Sequence, residues 1–238
     1  MKQVQATLLS KKIVAPDVVH LYFYVGGDGL FFEPGQYAIV TIPSSPAPLK
    51  RLYSFAGSNK DKSVFELLVK IIPGGISSTF LASLSVGSSI TVTGPAGLFT
   101  QKKTEKRKVY MVTGTGFAPV RSFLQSTQAS ALNSVLYWGV KDLSETYLFD
   151  ELLALKKASP GFSFYYCLSR QPSLDTIPAD LLHYFRSGHI DAVWATLEPL
   201  IGSSGEYYLC GSRTVVESLR TTLLARGVAK ENLLFEKY

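Results

Sequence analysis

The feature that most constrains the fold is a change of periodicity near residue 100. Up to that point, short apolar strands alternate with turn residues, and the strands are VQATLLSKKIVA, VVHLYFYV, QYAIVTIP, RLYSFAG, VFELLVKII and SSITVTG. Turns such as GGDG, EPG and PSSPAP separate most of them at a spacing typical of an antiparallel barrel. We therefore predict a six-stranded Greek-key antiparallel β-barrel for residues 1–103, interrupted by one short helix near Ser78–Ser83.

The second half follows a different pattern, which begins after the charged stretch QKKTEKRK. Strands there alternate with helices, and the predicted pairs are VYMVTG with APVRSFLQSTQ, SVLYWGV with YLFDELLALKK, FSFYYCLS with ADLLHYF, and EYYLCG with RTVVESLRTTLLARG. Repeated strand–helix units predict a parallel sheet that is covered on both faces. We predict an α/β domain for residues 104–238, with a hinge near residues 101–108.

Composition narrows the class of protein. No apolar run approaches the roughly 20 residues that a membrane span needs, and the N-terminus lacks a secretory signal, so we expect a cytoplasmic protein without a membrane span. The two cysteines, Cys167 and Cys210, cannot form a disulfide framework or a four-thiolate iron–sulfur cluster. The three histidines have no ligand-like spacing, so we expect no metal site and assign any redox chemistry to an organic cofactor.

The net charge of +6 is unevenly distributed. Residues 1–103 carry ten Lys and Arg against five Asp and Glu, whereas residues 104–238 carry fourteen against thirteen. An ordinary solvated surface, an acidic docking partner and a phosphate-rich ligand all remain open as explanations. A nucleic acid is not expected, because the basic residues are scattered and match no binding module.

The stretch VTGTGFAPVRSF joins an apolar strand to a helix and could bind phosphate. Gly114 and Gly116 would let the backbone approach a pyrophosphate, Thr115 adds a donor, and Pro119 suits a first helical turn. The helix N-terminus supplies N–H groups and a positive dipole end. The stretch departs from G-x-G-x-x-G, so a simple tight turn between strand and helix is the alternative.

Two further stretches in the first half suggest a second ligand. In PGGISSTFLASL, glycines precede Ser77 and Ser78 at the start of the short helix, an arrangement that can hold phosphate or merely cap a surface helix. In RLYS, strand alternation directs Arg51 and Tyr53 to one face, where one ligand could meet both the charge and the ring. Phosphate turns on two differently built domains indicate two nucleotides.

Taken together, these stretches resemble the ferredoxin–NADP reductase family. The motifs that carry the resemblance occur in the family's order and span nearly the whole chain: FFEPGQY, RLYS, GGISSTFL, GPAGLF, TGTGFAPVRSFL, YLCG and the terminal FEKY. The resemblance implies FAD rather than FMN, because only the dinucleotide has a pyrophosphate. It also implies NADP(H) as the second cofactor, with NAD(H) possible.

The resemblance also implies roles for individual residues. Arg51 would pair with the flavin pyrophosphate, Tyr53 would pack against the isoalloxazine ring, and Ser54 would lie near N5. The implied flavin-binding set is Arg51, Leu52, Tyr53, Ser54, Val69, Lys70, Gly75, Ile76, Ser77 and Ser78. The implied nucleotide-binding set is Thr113, Gly114, Thr115, Gly116, Pro119, Ser169, Arg170, Cys210 and Gly211.

The implied catalytic set is Ser54, Cys210, Glu236 and Tyr238. Tyr238 would cover the flavin face that nicotinamide must reach, and it also counts as a cofactor-binding residue. Two alternatives stay open, since Cys210 could be a small buried hydrophobe and the chain's end could be frayed. Cys167 matches no motif and is expected in the core.

The implied function is hydride transfer between NADP(H) and FAD, followed by single-electron transfer to a separate acidic ferredoxin or flavodoxin. Ser169 and Arg170 would meet the 2′-phosphate of NADP, where enzymes that use NADH more often have an acidic residue. One alternative is an NADH-dependent reductase of free flavin or of an oxygenase component. The other is a flavin-binding electron-transfer or regulatory subunit that does not turn over by itself. The oligomeric state is open, with a monomer as the default.

Overall fold

A computed structural model describes residues 1–171, 173–198 and 205–238. The chain divides into two compact units. The first comprises Met1–Lys102 together with Ala118–Thr127, and the second comprises Lys103–Phe117 and Gln128–Tyr238. The sequence analysis assigned residues 118–127 to the second domain, whereas the structure groups them with the first unit.

Residues 1–102 of the first unit contain six strands and one helix. They are β1 (Lys2–Ala15), β2 (Val18–Val25), β3 (Tyr37–Ile42), β4 (Leu49–Ser54), β5 (Val64–Lys70), α1 (Ile76–Ser83) and β6 (Ser89–Ala96). The strands form one antiparallel sheet in the order β4-β3-β6-β1-β2-β5. A bridge between Phe55 and Leu67 joins the end of β4 to β5, the opposite edge strand, so the sheet is curled on itself. The prediction of a six-stranded antiparallel domain is confirmed.

Alternating burial along the strands builds the core of this unit. In β3, Ala38, Val40 and Ile42 are fully buried while their neighbours are partly exposed. The same period of two fills the interior from the other strands, with Leu21, Phe23, Phe65 and Leu67 among the buried side chains. The curled sheet therefore encloses one apolar core.

The second unit contains a parallel six-stranded sheet. Its strands are β7 (Lys108–Thr113), β8 (Ser134–Val140), β9 (Phe162–Leu168), β10 (Phe185–Ser187), β11 (Glu206–Gly211) and β12 (Leu233–Lys237). They lie in the order β10-β9-β8-β7-β11-β12. The helices in this part of the chain are α2 (Phe117–Ser126), α3 (Phe149–Ala158), α4 (Ile190–Leu197) and α5 (Arg213–Ala225). The predicted parallel α/β sheet is confirmed.

One local prediction in this half is wrong. ADLLHYF was predicted as a helix, but the chain forms a short 3-10 turn over Leu182–Tyr184 and then enters β10. Phe185 stacks on Tyr166 at 5.5 Å and on Phe149 at 5.6 Å between ring centroids. This packing favours extended backbone, and a short apolar run cannot by itself distinguish strand from helix. The sequence analysis also did not anticipate α4 or β12.

The parallel register brings polar candidates to one edge of the sheet. Cys210 lies opposite Val112 of β7 and Glu236 of β12, and Thr113 lies opposite Gly139 of β8. Because parallel strands end at the same edge, the carboxyl ends of β7, β11 and β12 meet there. In open α/β sheets, this is the edge at which ligands bind.

Candidate functional site

Strand β4 carries the Arg-x-Tyr-Ser motif of the first unit. Arg51 is exposed, and its Nη1 donates to the Lys50 carbonyl at 2.9 Å. Within the described ranges, no carboxylate pairs with this guanidinium. Tyr53 packs against the core, and its burial raises the pKa of its hydroxyl, although the charge of Arg51 partly offsets the rise. A cation and a partly buried ring therefore lie on one face of the strand.

The turn before α1 is held by a serine. Ser78 Oγ accepts the Ile72 N–H at 3.0 Å and donates to the Gly75 carbonyl at 3.3 Å. A Cβ on Gly75 would lie 2.9 Å from Ser78 Oγ, so a glycine suits this position. The first turn of α1 contains no acidic side chain. The N-terminus of the helix can therefore accept an anion, while Ser78 itself is used within the turn.

Three large apolar side chains in this region are exposed to solvent. Leu52, Ile72 and Ile76 are 60%, 59% and 58% exposed. All three lie within or next to the predicted flavin-binding set, where a large planar ligand would remove them from water. Val69 is fully buried, and Lys70 pairs with Asp17 at 2.7 Å, so their side chains serve the fold.

Helix α2 is tied to the strand that follows the motif. Arg121 donates to the Ala56 carbonyl at 2.8 Å and to the Glu66 carboxylate at 2.6 Å, and His20 Nε2 lies 2.6 Å from the same carboxylate. Burial would raise the pKa of Glu66, but the hydrogen bond from His20 and the Arg121 guanidinium outweigh burial and lower it. The sequence analysis did not detect this buried ionic group, which fixes the residues directly after the Arg-x-Tyr-Ser motif.

In the second unit, the glycine turn leaves β7 as a single 3-10 turn over Gly114–Gly116. Gly114 has a φ of 51°, in the left-handed region that favours glycine. A Cβ on Gly116 would lie 2.4 Å from the Cys210 carbonyl oxygen, so only glycine lets the turn approach β11 this closely. Pro119, which was also predicted to line the site, is buried in the first turn of α2.

Two ring donors hold the carbonyl of Gly114. Trp138 Nε1 donates to it at 3.0 Å and the Tyr147 hydroxyl donates at 3.2 Å. The Trp138 ring also stacks on Phe117 with a centroid separation of 4.0 Å. The sequence analysis did not identify Trp138 or Tyr147, because an aromatic residue near a buried strand is indistinguishable from ordinary core.

The C-terminal residue is anchored to the same turn. The Tyr238 hydroxyl donates to the Thr113 carbonyl at 3.0 Å and accepts the Gly116 N–H at 3.1 Å. Its backbone N–H donates to the Gly211 carbonyl at 3.2 Å. Although the residue is 65% exposed, burial around the hydroxyl raises the pKa of Tyr238 to about 12. The phenol therefore stays neutral near pH 7.

Three of the four predicted catalytic residues meet at this edge of the sheet. Cys210 and Glu236 are paired across β11 and β12, and Tyr238 follows two residues later. Cys210 is 2% exposed, and burial, followed by the charge of Glu236, raises the pKa of its thiol. Cys210 is thus a neutral, buried group near pH 7. The fourth residue, Ser54, belongs to the first unit.

Ser169 and Arg170 follow β9 at the same edge. The Ser169 backbone N–H and Oγ both donate to the Val140 carbonyl, at 3.1 and 3.3 Å, and the Arg170 N–H donates to the Lys141 carbonyl at 2.7 Å. These bonds attach the first two residues after β9 to the end of β8. The Arg170 side chain is exposed, and no carboxylate among the described residues pairs with it.

Comparison with known families identifies both units. The family model described as oxidoreductase FAD-binding domain matches residues 5–101, and the one described as oxidoreductase NAD-binding domain matches residues 111–221. The chain belongs to the ferredoxin–NADP reductase family. Its two matched domains are an FAD-binding and an NAD-binding domain of the oxidoreductase type.

The curated relatives that match this chain include both an oxygenase component and a ferredoxin–NADP reductase. The chain is 31% identical over 214 residues to the toluate 1,2-dioxygenase electron transfer component of Pseudomonas putida, a match that covers 88% of this chain and 59% of that protein. It is 29% identical over 247 residues to ferredoxin–NADP reductase B of Sorangium cellulosum, a match that covers 98% and 97% of the two chains. The chain thus spans under two thirds of the dioxygenase component but nearly all of the Sorangium protein.

Solved structures share the fold. The cytochrome P450 reductase of Amycolatopsis superposes with a TM-score of 0.87 at 25% identity, covering 99% of this chain and 69% of that one. A ferredoxin NADP+ reductase from Neisseria gonorrhoeae with bound FAD and NADP gives 0.85 at 21% identity, covering 100% and 99%. Every helix among the described residues is too short or too polar to span a lipid bilayer.

The residues of this chain fit both cofactors. In the first unit, the exposed Arg51 guanidinium and the apolar surface of Leu52, Ile72 and Ile76 suit a phosphate joined to a planar ring system. In the second unit, the glycine turn begins a helix at the edge of a parallel sheet, which suits a dinucleotide.

Proposed function

We propose that this protein is an NADP(H)-dependent reductase that exchanges electrons with a separate acidic ferredoxin or flavodoxin. The observation that carries the proposal is Arg170, an exposed guanidinium at the carboxyl edge of the sheet that no described carboxylate neutralises. A 2′-phosphate is the group by which NADP differs from NAD, and a guanidinium is well shaped to bind it. The Sorangium relative, matched over nearly its whole length, supports this choice.

The flavin would be held entirely by the first unit. Arg51 would pair with the pyrophosphate, the N-terminus of α1 would meet the same group, and Tyr53 would support the isoalloxazine ring. Bound FAD supplies the chemistry, since it accepts a hydride from nicotinamide and releases electrons one at a time. The Ser54 hydroxyl would donate a hydrogen bond close to flavin N5. No acid–base pair is required, so the chain's task is to orient the rings and exclude water.

The nucleotide would be held by the second unit. The backbone of Thr113–Gly116 and Gly211 would contact the pyrophosphate, and Ser169 and Arg170 would bind the 2′-phosphate. The neutral Cys210 thiol and Glu236 would border the nicotinamide. Tyr238 would occupy part of this site before the nucleotide binds, because its hydroxyl already takes the Gly116 N–H.

The charge distribution supports an acidic partner. Most of the excess of lysine and arginine lies in the first half of the chain, which forms most of the proposed flavin unit. An acidic electron carrier would be steered toward this unit, and its association would weaken as salt is added. We place the protein in the cytoplasm because its two cysteines are unpaired and buried, which cell fractionation would test.

A second candidate is favoured by the curated relatives. Two relatives match this chain at 31% and 32% identity, namely the toluate dioxygenase component and the reductase component of propane 2-monooxygenase from Rhodococcus jostii. This chain covers 59% and 56% of those proteins. An NADH-dependent reductase of an oxygenase component is therefore the alternative, and a flavin-binding subunit without turnover is a further one.

One experiment separates these functions. The FAD-loaded protein is assayed with NADPH and with NADH, first with ferricyanide and then with purified ferredoxin or flavodoxin as acceptor. We expect NADPH to give the higher kcat/KM, and we expect Arg170→Ala to raise the KM for NADPH about tenfold while leaving that for NADH within twofold.

The outcomes are distinct. Equal changes for both nucleotides in Arg170→Ala would show that this residue does not recognise a 2′-phosphate and would favour NADH. Rapid ferricyanide reduction without transfer to either carrier would favour the oxygenase component. Binding of FAD with no nucleotide oxidation would identify a subunit without turnover.

A further inference from the structure

The carbonyl of Gly114 is the most heavily hydrogen-bonded group of the glycine turn. It accepts the Phe117 N–H that closes the 3-10 turn, and it also accepts Trp138 Nε1–H at 3.0 Å and the Tyr147 hydroxyl at 3.2 Å. A carbonyl oxygen has two lone pairs, so three donors exceed its usual number of partners. Such a concentration of donors fixes the direction in which this one carbonyl points.

The direction of that carbonyl determines the direction of the next amide. The peptide between Gly114 and Thr115 is not among the cis bonds of the described chain. In a planar trans peptide, the carbonyl of one residue and the N–H of the next point in opposite directions. Because Trp138 and Tyr147 hold the Gly114 oxygen on their own side, the Thr115 N–H is directed away from these two rings.

The two donors are themselves immobilised by packing. The Trp138 ring stacks on Phe117 at 4.0 Å and on Tyr166 at 5.2 Å, and it meets the Tyr147 ring edge-on at 4.7 Å. The Tyr166 hydroxyl donates to the Tyr147 carbonyl at 2.5 Å. These contacts leave neither donor free to follow the Gly114 carbonyl if the peptide rotates.

Backbone strain adds an independent observation. Leu148, the residue after Tyr147, has a φ of 58° and is the one non-glycine residue with positive φ among those described. The left-handed region is unfavourable for a leucine, and strain of this kind persists only where the surroundings enforce it. The strained residue lies directly beside the tyrosine that reaches the glycine turn.

We propose that Trp138 and Tyr147 are positioning residues that lock the Gly114–Thr115 peptide with its N–H toward the dinucleotide pyrophosphate. The inference rests on the proposed nucleotide-binding role of this turn. If the peptide rotated, the turn would present a carbonyl oxygen to the pyrophosphate in place of an N–H. The attraction between the N–H and the phosphate oxygens would become a repulsion between the carbonyl oxygen and those oxygens. Rotation of the peptide would therefore weaken nucleotide binding more than the loss of a single hydrogen bond would.

The test removes each donor and keeps an aromatic ring at each position. Trp138→Phe and Tyr147→Phe are made singly and together, and Tyr207→Phe serves as the matched control. Tyr207 is a buried tyrosine of β11 in the same unit, and its hydroxyl has no hydrogen-bond partner within the described residues. Dissociation constants are measured by calorimetry for NADP+ and for 2′-AMP, which keeps the adenosine and the 2′-phosphate but lacks the pyrophosphate.

We expect each single variant to bind NADP+ three- to tenfold more weakly and the double variant to bind it at least 30-fold more weakly. Binding of 2′-AMP should stay within twofold in all variants, and Tyr207→Phe should match the parent for both ligands. In the ligand-free protein, the carbonyl 13C shift of Gly114 should move when either donor is removed. If the parent binds NAD+ instead, the same comparison is made with NAD+ and adenosine.

Several results would overturn the proposal. Unchanged NADP+ affinity in the double variant would show that the ring donors do not matter. Equal weakening of NADP+ and 2′-AMP, with a lower Tm, would show that the rings only maintain the fold. A parent protein that bound neither NADP+ nor NAD+ would refute the proposed function itself. If the parent binds a nucleotide and the variants bind it equally well, only the proposed role of the two ring donors is refuted.

Discussion

The two glycine turns of this protein, each of which we propose to bind a pyrophosphate, are held in opposite ways. The turn before α1 is held from within, because Ser78 bonds to both Ile72 and Gly75 only a few residues away. The turn after β7 is held from outside, by Trp138 of β8, by Tyr147 and by Tyr238 at the end of the chain. One turn contains its own support, and the other depends on three separate segments.

This difference affects what each turn tolerates. The turn before α1 should keep its shape as long as its own residues are unchanged. The turn after β7 can be altered by a substitution that is distant in sequence, and it is also packed against β11 at Gly116. The following predictions test this contrast, beginning with the largest effect.

Gly116→Ala should nearly abolish nucleotide binding. The new Cβ would lie 2.4 Å from the Cys210 carbonyl oxygen, so the turn must move away from β11. Overpacking of this kind costs roughly 1–3 kcal/mol, and the displaced turn should lose at least about 100-fold in affinity for NADP+, measured by calorimetry. Gly227→Ala is the control for backbone strain without close packing, since its φ of 84° strains an alanine whereas no atom lies within 4 Å of the new Cβ. Equal effects of the two substitutions would contradict close packing as the cause.

Arg51→Ala should weaken FAD retention by about 2 kcal/mol, because a charge-assisted hydrogen bond to phosphate is lost. The purified protein should be pale, and titration with FAD should give a dissociation constant about 30-fold higher. Lys50→Ala removes a charge from the adjacent exposed position of β4 and should leave FAD binding nearly unchanged. If both variants retained FAD like the parent, Arg51 would be an ordinary surface residue of the strand.

Tyr238→Ser should have the smallest effect and the opposite sign. Its hydroxyl takes the Gly116 N–H, so its removal frees a donor for the nucleotide and should tighten binding by about 1 kcal/mol. We expect a several-fold lower dissociation constant for NADP+ and NAD+, a proportionally larger gain in NADH use, and slower release of the oxidised nucleotide. Weaker binding of both nucleotides would instead show that Tyr238 supports the turn as Trp138 and Tyr147 do.

Sequence periodicity predicted the fold where each element is regular and locally bounded. VVHLYFYV, SVLYWGV and EYYLCG were predicted as strands with the same ends as β2, β8 and β11. Alternation or continuous burial of β-branched and aromatic residues, with a glycine or a charged residue at or just after the end of the strand, was sufficient there. Prediction was wrong at ADLLHYF, because the contacts of Phe185 with Tyr166 and Phe149 decide the backbone conformation at that point.

The same distinction applies to the candidate sites. Gly114 and Gly116 stand in a short motif whose residue types suggested phosphate binding, and the family resemblance of RLYS implied the same role for Arg51. Trp138 and Tyr147 lie 24 and 33 residues from Gly114, and no local pattern links them to it. The pairing of Arg121 with Glu66 spans 55 residues and was likewise not predictable without the fold.

The assignment of Ala118–Thr127 to the first unit has a consequence for protein engineering. A gene cut between residues 103 and 104 would yield a first half without Arg121, and the largely buried Glu66 carboxylate would lose this ion pair while keeping its hydrogen bond with His20. Such a fragment would carry a poorly compensated charge and the exposed surface that Phe123 covers against Phe99. The first unit is thus built from two separate stretches of the chain. Exchanging flavin-binding units between relatives therefore requires α2 to be transplanted together with the barrel.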